Sequence, residues 1–265
     1  MAPRALVTGA SRGIGRAVAA ALAGRGFEVI GTTRNPESLS DGEKLNGVRY
    51  HPLDLADEKS IDSLVGQAGE VDVLVNNAGG SQIGPIEEVP LAAMRALLEQ
   101  NLLGSVRLTQ GLLPQMRARL SGRIIFISSF AGVTPVPFLS VYAASKAALT
   151  SLARGLRQEV KTHGVQVSVI APFDIHTTIP LDVRFKEDSP YRDAVLRVKD
   201  VRDKSLAAAP EPSVVARKVL QVVAARKPRA FYPVGRNAGL QSFLLKHLPD
   251  TVVENIVRKL FRMDR

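Results

Sequence analysis

Three features of the 265-residue chain predict an α/β fold built on a parallel sheet. Short runs rich in Val, Ile and Leu alternate with helical stretches through residue 175, the pattern of strands joined by crossover helices. These runs carry few charges, as strands covered on both faces do. The first run opens into a glycine-rich turn that leads into a helix, the entry of a dinucleotide-binding crossover.

The predicted strands are Arg4–Thr8, Glu28–Thr33, Val48–Pro52, Val71–Asn76, Gly122–Ser128 and Gln166–Ala171, with Ala230–Pro233 as a seventh. Helices are expected over Gly13–Arg25, Glu58–Ala68, Leu91–Leu120, Ser140–His163 and Pro212–Arg226. Pro114 lacks an N–H and should kink or break the third of these. Gly164 is placed to end the fourth as a left-handed C-cap. Between about 176 and 210 the alternation stops; the segment is charged and carries Pro180, Pro190 and Pro210. It reads as a mobile stretch with short helices, the usual place for a substrate lid. In the tail, Val252, Val253, Ile256, Val257, Leu260 and Phe261 recur at helical spacing, and Glu254, Asn255, Arg258, Lys259 and Arg262 fill the other face. Asp250 is placed to cap this basic amphipathic helix of about 250–262. Its apolar face could pack on its own domain, on a partner subunit or on a membrane surface.

Composition narrows the function classes. At 45% hydrophobic and 23% charged, the chain has ordinary globular composition and can bury a large core, read as a single domain over 1–265. The absence of cysteine excludes disulfides and thiolate metal sites, and His51, His163, His176 and His247 are too scattered for a metal cluster. Ala5-Leu6-Val7 is too short for a signal-peptide core and no apolar run spans a bilayer, so a cytoplasmic protein is expected. The net charge of +10 is uneven: residues 1–183 hold 17 Lys+Arg against 16 Asp+Glu, residues 184–265 hold 18 against 9. That basic third is either a solvated face or a field for anionic substrates or acidic lipid. Nucleic acid is not expected, since the region has no recognisable motif and few aromatic rings for stacking.

The chemistry-bearing residues lie at predicted strand ends. After the first strand comes Thr8-Gly9-Ala10-Ser11-Arg12-Gly13-Ile14-Gly15. Glycines here turn the chain, let backbone N–H groups approach a pyrophosphate, and bring the helix N-terminus to the phosphates. The second strand ends at Arg34, where an acidic residue would select NAD and a basic one accommodates a 2′-phosphate. Arg34 and Arg12 therefore point to NADP(H), because guanidinium forks suit phosphate oxygens. Asp54, past the third strand, could accept from an adenine amino group or cap the following helix. Asn76-Asn77-Ala78-Gly79, past the fourth, reads either as backbone held beside a ligand or as a structural turn. Tyr142 and Lys146 stand at i and i+4 of a helix and share a face, thirteen residues beyond Ser129. A phenol has a pKa of about 10 and needs a nearby cation before it can trade protons at neutral pH, a role Lys146 and an oxidised nicotinamide would fill.

Together these residues resemble the short-chain dehydrogenase/reductase family, in motif order and spacing, over residues 4 to about 180. The resemblance implies a Rossmann domain with a seven-stranded parallel sheet and an oxidoreductase that exchanges hydride between NADP(H) and a carbonyl or alcohol. It implies that Tyr142 is the acid of reduction and the base of oxidation, and that Lys146 binds the nicotinamide ribose. Ser129 would orient the carbonyl and Asn101 would hold a water in a relay with Lys146. Gly9, Ser11, Arg12, Gly13, Ile14, Gly15, Arg34, Asp54, Asn77, Ala78, Gly79, Pro172 and Thr177 would line the cofactor. One departure stands out: in Pro172-Phe173-Asp174-Ile175-His176-Thr177, Phe173 replaces the usual glycine, which should redirect the loop or place a ring in the substrate wall. The apolar Pro135-Val136-Pro137-Phe138-Leu139 loop and the basic tail resemble the hydroxysteroid and retinol dehydrogenase branch, implying a lipophilic substrate. A homodimer or homotetramer packed through the two long helices is also implied. Two other readings remain at this point: a dinucleotide-binding regulator without turnover, and a peripheral membrane reductase.

Overall fold

A computed structural model describes residues 2–134, 136–177 and 179–263. Its strands are β1 (Arg4–Val7), β2 (Glu28–Thr33), β3 (Val48–Pro52), β4 (Val73–Asn76), β5 (Ser81–Ile83), β6 (Gly122–Ile127), β7 (Val165–Pro172), β8 (Leu181–Val183) and β9 (Phe231–Val234). Its α-helices are α1 (Gly13–Ala23), α2 (Glu58–Ala68), α3 (Leu91–Leu98), α4 (Gly104–Ala118), α5 (Ser140–Glu159), α6 (Arg192–Ala207), α7 (Ser213–Ala224), α8 (Ala238–His247) and α9 (Asp250–Leu260).

Seven strands form one parallel sheet in the order β3-β2-β1-β4-β6-β7-β9. Successive side chains of a strand point to opposite faces. Leu6, Leu74, Ile124 and Phe126 accordingly join α2, α4 and α5 in one buried layer, with Ile61, Leu64, Leu108, Leu112 and Leu149. Val7, Val73, Val75, Ile125 and Ile127 join α1 and α7 in the other, with Val18, Leu22, Val215, Val219 and Val222. Both faces are covered, which is why these strands lack a polar face.

The register fixes the location of the site. Val7 pairs with Gly31 and Val75, Asn76 with Phe126, and Ile127 with Ile170. The strands thus end together, and the residues following them converge on one edge of the sheet. The chain order reverses between β1 and β4, and ligands of open α/β sheets bind at that switch point, beyond the strand C-termini.

Several expectations are corrected. The helix over Leu91–Leu120 is interrupted at a π-helical turn, Glu99–Leu103, while α4 runs through Pro114. The segment 176–210 is more ordered than a run of short helices. Its β8 pairs in parallel with β5, and its α6 has 16 residues braced by Lys199–Asp203 and Asp200–Lys204 pairs at i,i+4. Asp250 makes no cap; Pro249 holds that position, and Asp250 lies in the first turn, where its charge complements the helix dipole. Gly164 does adopt the left-handed conformation, at φ 70°, but it closes a 3₁₀ turn over Lys161–His163, because α5 itself ends at Glu159. Pro135, the first residue of the apolar loop, lies outside the described residues.

Candidate active site

A cleft of about 440 Å³ opens at the switch point. Gly9, Ser11, Arg12, Gly13, Ile14, Arg34, Asp54, Asn77, Ala78 and Gly79 line it. Gly9 takes φ 67°, a left-handed value that glycine adopts without strain. A Cβ on Gly15 would stand 2.1 Å from the Gly9 carbonyl oxygen and 2.5 Å from Asn77 Nδ2. Only a bare backbone lets α1 start this close to the turn. Its N-terminus has no side-chain cap, so the first amides are left to an outside anion. We expect Gly15→Ala to destabilise the fold by about 2 kcal/mol, the scale of an overpacked contact. Urea unfolding reads this directly, and an unshifted midpoint would contradict the close packing.

Arg12 and Arg34 are exposed on the rim, and among the described residues neither guanidinium has a hydrogen bond or ion pair. The cleft therefore offers glycine amides, a free helix N-terminus and two unengaged cations, a donor set that fits a dinucleotide carrying an extra phosphate. Asp54 also faces the cleft, but its carboxylate accepts from the Ala56 amide at 2.9 Å. The α2 cap is Asp57, which accepts from Lys59 N.

The sequence pattern marks no role for Thr8, and the structure gives it one. Its buried hydroxyl accepts from the Asn77 and Ala78 amides, each at 2.9 Å, while Asn77 Nδ2 donates to Thr8 O at 2.9 Å. These bonds lock the end of β1 to the end of β4. Asn76 is a structural amide whose Nδ2 donates to Thr109 Oγ1 on α4. Gln100 and Ile179 also line the cleft, and no local pattern marks either of them.

Ser129, Tyr142 and Lys146 meet at the end of β6. The Ser129 hydroxyl is a hydrogen-bond partner of the Tyr142 phenol. Burial pushes that phenol above its ordinary range; the bond to Ser129 and the charge of Arg202 on α6 act in the opposite direction. Lys146 is 6% exposed, and its Nζ donates to Ile127 O at 3.2 Å and lies 6.0 Å from the Tyr142 ring centre. Burial lowers its pKa to about 8. For the phenol, desolvation outweighs the other influences.

Asn101 sits in the π turn and is fully buried. Its Oδ1 accepts from Gly80 N at 2.7 Å, and its Nδ2 donates to Gly80 O at 3.1 Å and Ser145 Oγ at 3.0 Å. The side chain thus clamps the loop after β4 to α5, one residue before Lys146. π turns inside helices often mark functional sites.

Phe173 keeps a negative φ, and its amide donates to Val234 O at 2.8 Å. Its ring stacks on Phe130, the neighbour of Ser129, with centroids 3.6 Å apart. Pro172 ends β7 in the core, and Thr177 lies beside the glycine turn, its methyl 3.7 Å from where a Gly13 Cβ would stand. Around Tyr142 a separate apolar cluster forms from Ile83, Leu139, Val195 and Val198, with Phe138, Tyr191 and Phe261 packed on it.

Comparison with known proteins agrees with this geometry. The short chain dehydrogenase family model matches residues 3–187. The chain is 32% identical to an NADPH-dependent 3-dehydrocapnine reductase of Ornithobacterium rhinotracheale, over 96% of each protein. A short-chain dehydrogenase structure from Streptomyces avermitilis superposes with a TM-score of 0.83 at 34% identity, over 100% of this chain and 99% of that one. A metagenomic short-chain oxidoreductase solved in complex with NADP gives 0.70 at 30% identity, over 88% and 96%. With its doubly wound sheet, glycine turn and Ser–Tyr–Lys group in place, the chain belongs to the short-chain dehydrogenase/reductase family of oxidoreductases.

Proposed function

We propose that the protein is an NADP(H)-dependent reductase of a lipophilic ketone or aldehyde, able to run in reverse on the secondary alcohol. The observation that carries this reading is the meeting of Ser129, Tyr142 and Lys146 beside a cleft with two unengaged guanidinium groups. When bound, NADP(H) supplies or accepts the hydride. Tyr142 donates the phenolic proton to the carbonyl oxygen as hydride reaches carbon, and Ser129 holds that oxygen by a second hydrogen bond. Lys146 binds the nicotinamide ribose hydroxyls and supplies positive charge behind the phenol. Asn101 positions Lys146 through Ser145. Arg12 and Arg34 hold the 2′-phosphate, and Asp54 faces the adenine. Names of similar proteins support the cofactor: one relative is called NADPH-dependent, and one structure was solved with NADP.

The apolar cluster around Tyr142 supports a lipophilic substrate, of the steroid- or retinoid-like size the branch resemblance implies. β8 and α6 supply part of that wall, through Leu181, Val183, Val195 and Val198, so the segment 176–210 acts as a substrate lid. A homodimer or homotetramer packed on α3, α4 and α5 would cover the exposed Leu91 and Leu103.

The test is a panel of ketones and aldehydes followed by NADPH absorbance loss, with NADH alongside. In Arg12→Ala/Arg34→Ala we expect the KM for NADPH to rise about 30-fold, as two charge-assisted phosphate contacts are lost, with little change for NADH. Equal losses with both cofactors would remove the 2′-phosphate reading.

A further inference from the structure

The last two helices leave large apolar side chains in water. On α8, Leu240, Phe243 and Leu244 are 61%, 59% and 43% exposed. They form one stripe at i, i+3 and i+4, and His247 extends it, its ring stacked on Phe243. On α9, Val252, Ile256 and Leu260 form a row at i, i+4 and i+8 and are 40%, 47% and 62% exposed. The neighbouring row, Val253, Val257 and Phe261, is half-buried. Thus α9 turns one apolar row inward and leaves a second to solvent. Only Leu248 and Pro249 separate the two helices.

Charge indicates what covers this surface. α8 contains no acidic residue. On α9, Lys259 and Asn255 border the exposed row, whereas Glu254 lies on the opposite flank, beside the half-buried row. Arg236 and Arg262 add positive charge at the two ends of the segment, Arg258 lies across the helix from the exposed row as Glu254 does, and Asp250 and Glu254 are the acidic residues of α9. A two-fold contact through this face would set a basic surface against its own copy, which repels. An anionic bilayer offers the opposite sign together with an apolar layer for Phe243, Ile256 and Leu260.

We propose that α8 and α9 dock on the surface of an anionic lipid bilayer, the exposed rows entering the headgroup boundary and the basic residues meeting the lipid phosphates. Among the described residues no helix is long and apolar enough to cross a membrane, so the mode is surface attachment. The residues just past α9 also reach the catalytic wall: Phe261 and Met263 pack on the same apolar cluster as Tyr142. Docking therefore places a lipid phase beside the substrate wall. This second consequence rests on the lipophilic-carbonyl reading, whereas attachment itself does not.

The experiment is co-sedimentation of the full chain with phosphatidylcholine vesicles and with vesicles that also contain phosphatidylglycerol, alongside sedimentation velocity without lipid. Binding should require the anionic lipid, weaken as salt rises, and fall about tenfold or more in Phe243→Glu/Ile256→Glu. Both side chains are exposed, so the variant should keep the wild-type melting temperature and its turnover on a water-soluble ketone. Lys259→Glu should weaken binding without touching the apolar rows. The proposal is overturned by failure to pellet with anionic vesicles, or by pelleting that Phe243→Glu/Ile256→Glu leaves unchanged. It is equally overturned if that variant splits a lipid-free oligomer, which would make a second copy the occupant. Turnover without vesicles tests the oxidoreductase reading separately.

Discussion

Tyr142→Phe is expected to lower kcat for carbonyl reduction about 1,000-fold while leaving NADPH affinity and stability nearly unchanged. The substitution removes one oxygen. The ring stays in its cluster with Leu139, Val195 and Val198, and Ser129 keeps its bond to the Ala131 amide. Loss of a hydrogen bond to Ser129 should cost the fold about 1 kcal/mol at most. What disappears is the proton donor, and general acid catalysis contributes about 100- to 10,000-fold. The direction of the Tyr142 shift adds a pH signature. Burial raises the phenol, so it stays protonated through neutral pH and reduction should be nearly flat there. Oxidation needs the phenolate and should climb with alkaline pH. Ser129→Ala removes a group that lowers the phenol, so the oxidation profile should move further alkaline. Steady-state kinetics in both directions, with NADPH fluorescence titration for affinity, measure all of this. Wild-type turnover in the Phe variant would remove Tyr142 from the chemistry.

Much of this arrangement was readable in the chain because strand ends are sharply marked. Glu28–Thr33, Val48–Pro52 and Glu58–Ala68 coincide with β2, β3 and α2, since glycine, proline or aspartate stands at or within a few residues of each end. Once the sheet is parallel and in register, residues just after the strands must share an edge, so a cleft lined by Arg12, Arg34, Asp54 and Asn77 follows from sequence position. What escaped depends on contacts distant in sequence. β5 and β8 are three residues each and pair across a separation of a hundred, too short for any periodicity. The π turn at Glu99–Leu103 lies inside a stretch with continuous helical propensity, and the burial of Asn101 within it shows only in the packed structure. Arg202 reaches Tyr142 only because α6 folds back over the site, and nothing local announces it. The pKa directions were the least legible, because desolvation is a property of the packed core.

That blind spot shapes the prediction for Lys146→Met, which should abolish useful turnover yet make the protein more stable. Lys146 has a pKa of about 8 when folded, against 10.5 unfolded. Below both values the folded chain carries a buried ammonium that water would solvate better, a cost of about 3 kcal/mol for a shift of this size. The sign follows from linkage. Relative to a protein that is fully deprotonated above 10.5, stability is lost as pH falls from 10.5 towards 8, and stays at the lower level beneath it. The wild type should therefore gain up to about 3 kcal/mol between those limits, beyond other titrations, and the Met variant should show no such rise. At neutral pH the variant also leaves the Ile127 carbonyl without its Nζ donor, an offset of about 1 kcal/mol, so the net gain is about 2 kcal/mol. Urea unfolding at neutral pH and near pH 10 reads both effects, and a less stable Met variant at neutral pH would show that the ammonium is not a burden there. Catalysis should move the other way, since the low-dielectric surroundings that disfavour the charge also leave its field unscreened beside the phenol. A group that destabilises the fold yet stands where a proton must move is what a strained catalytic site predicts.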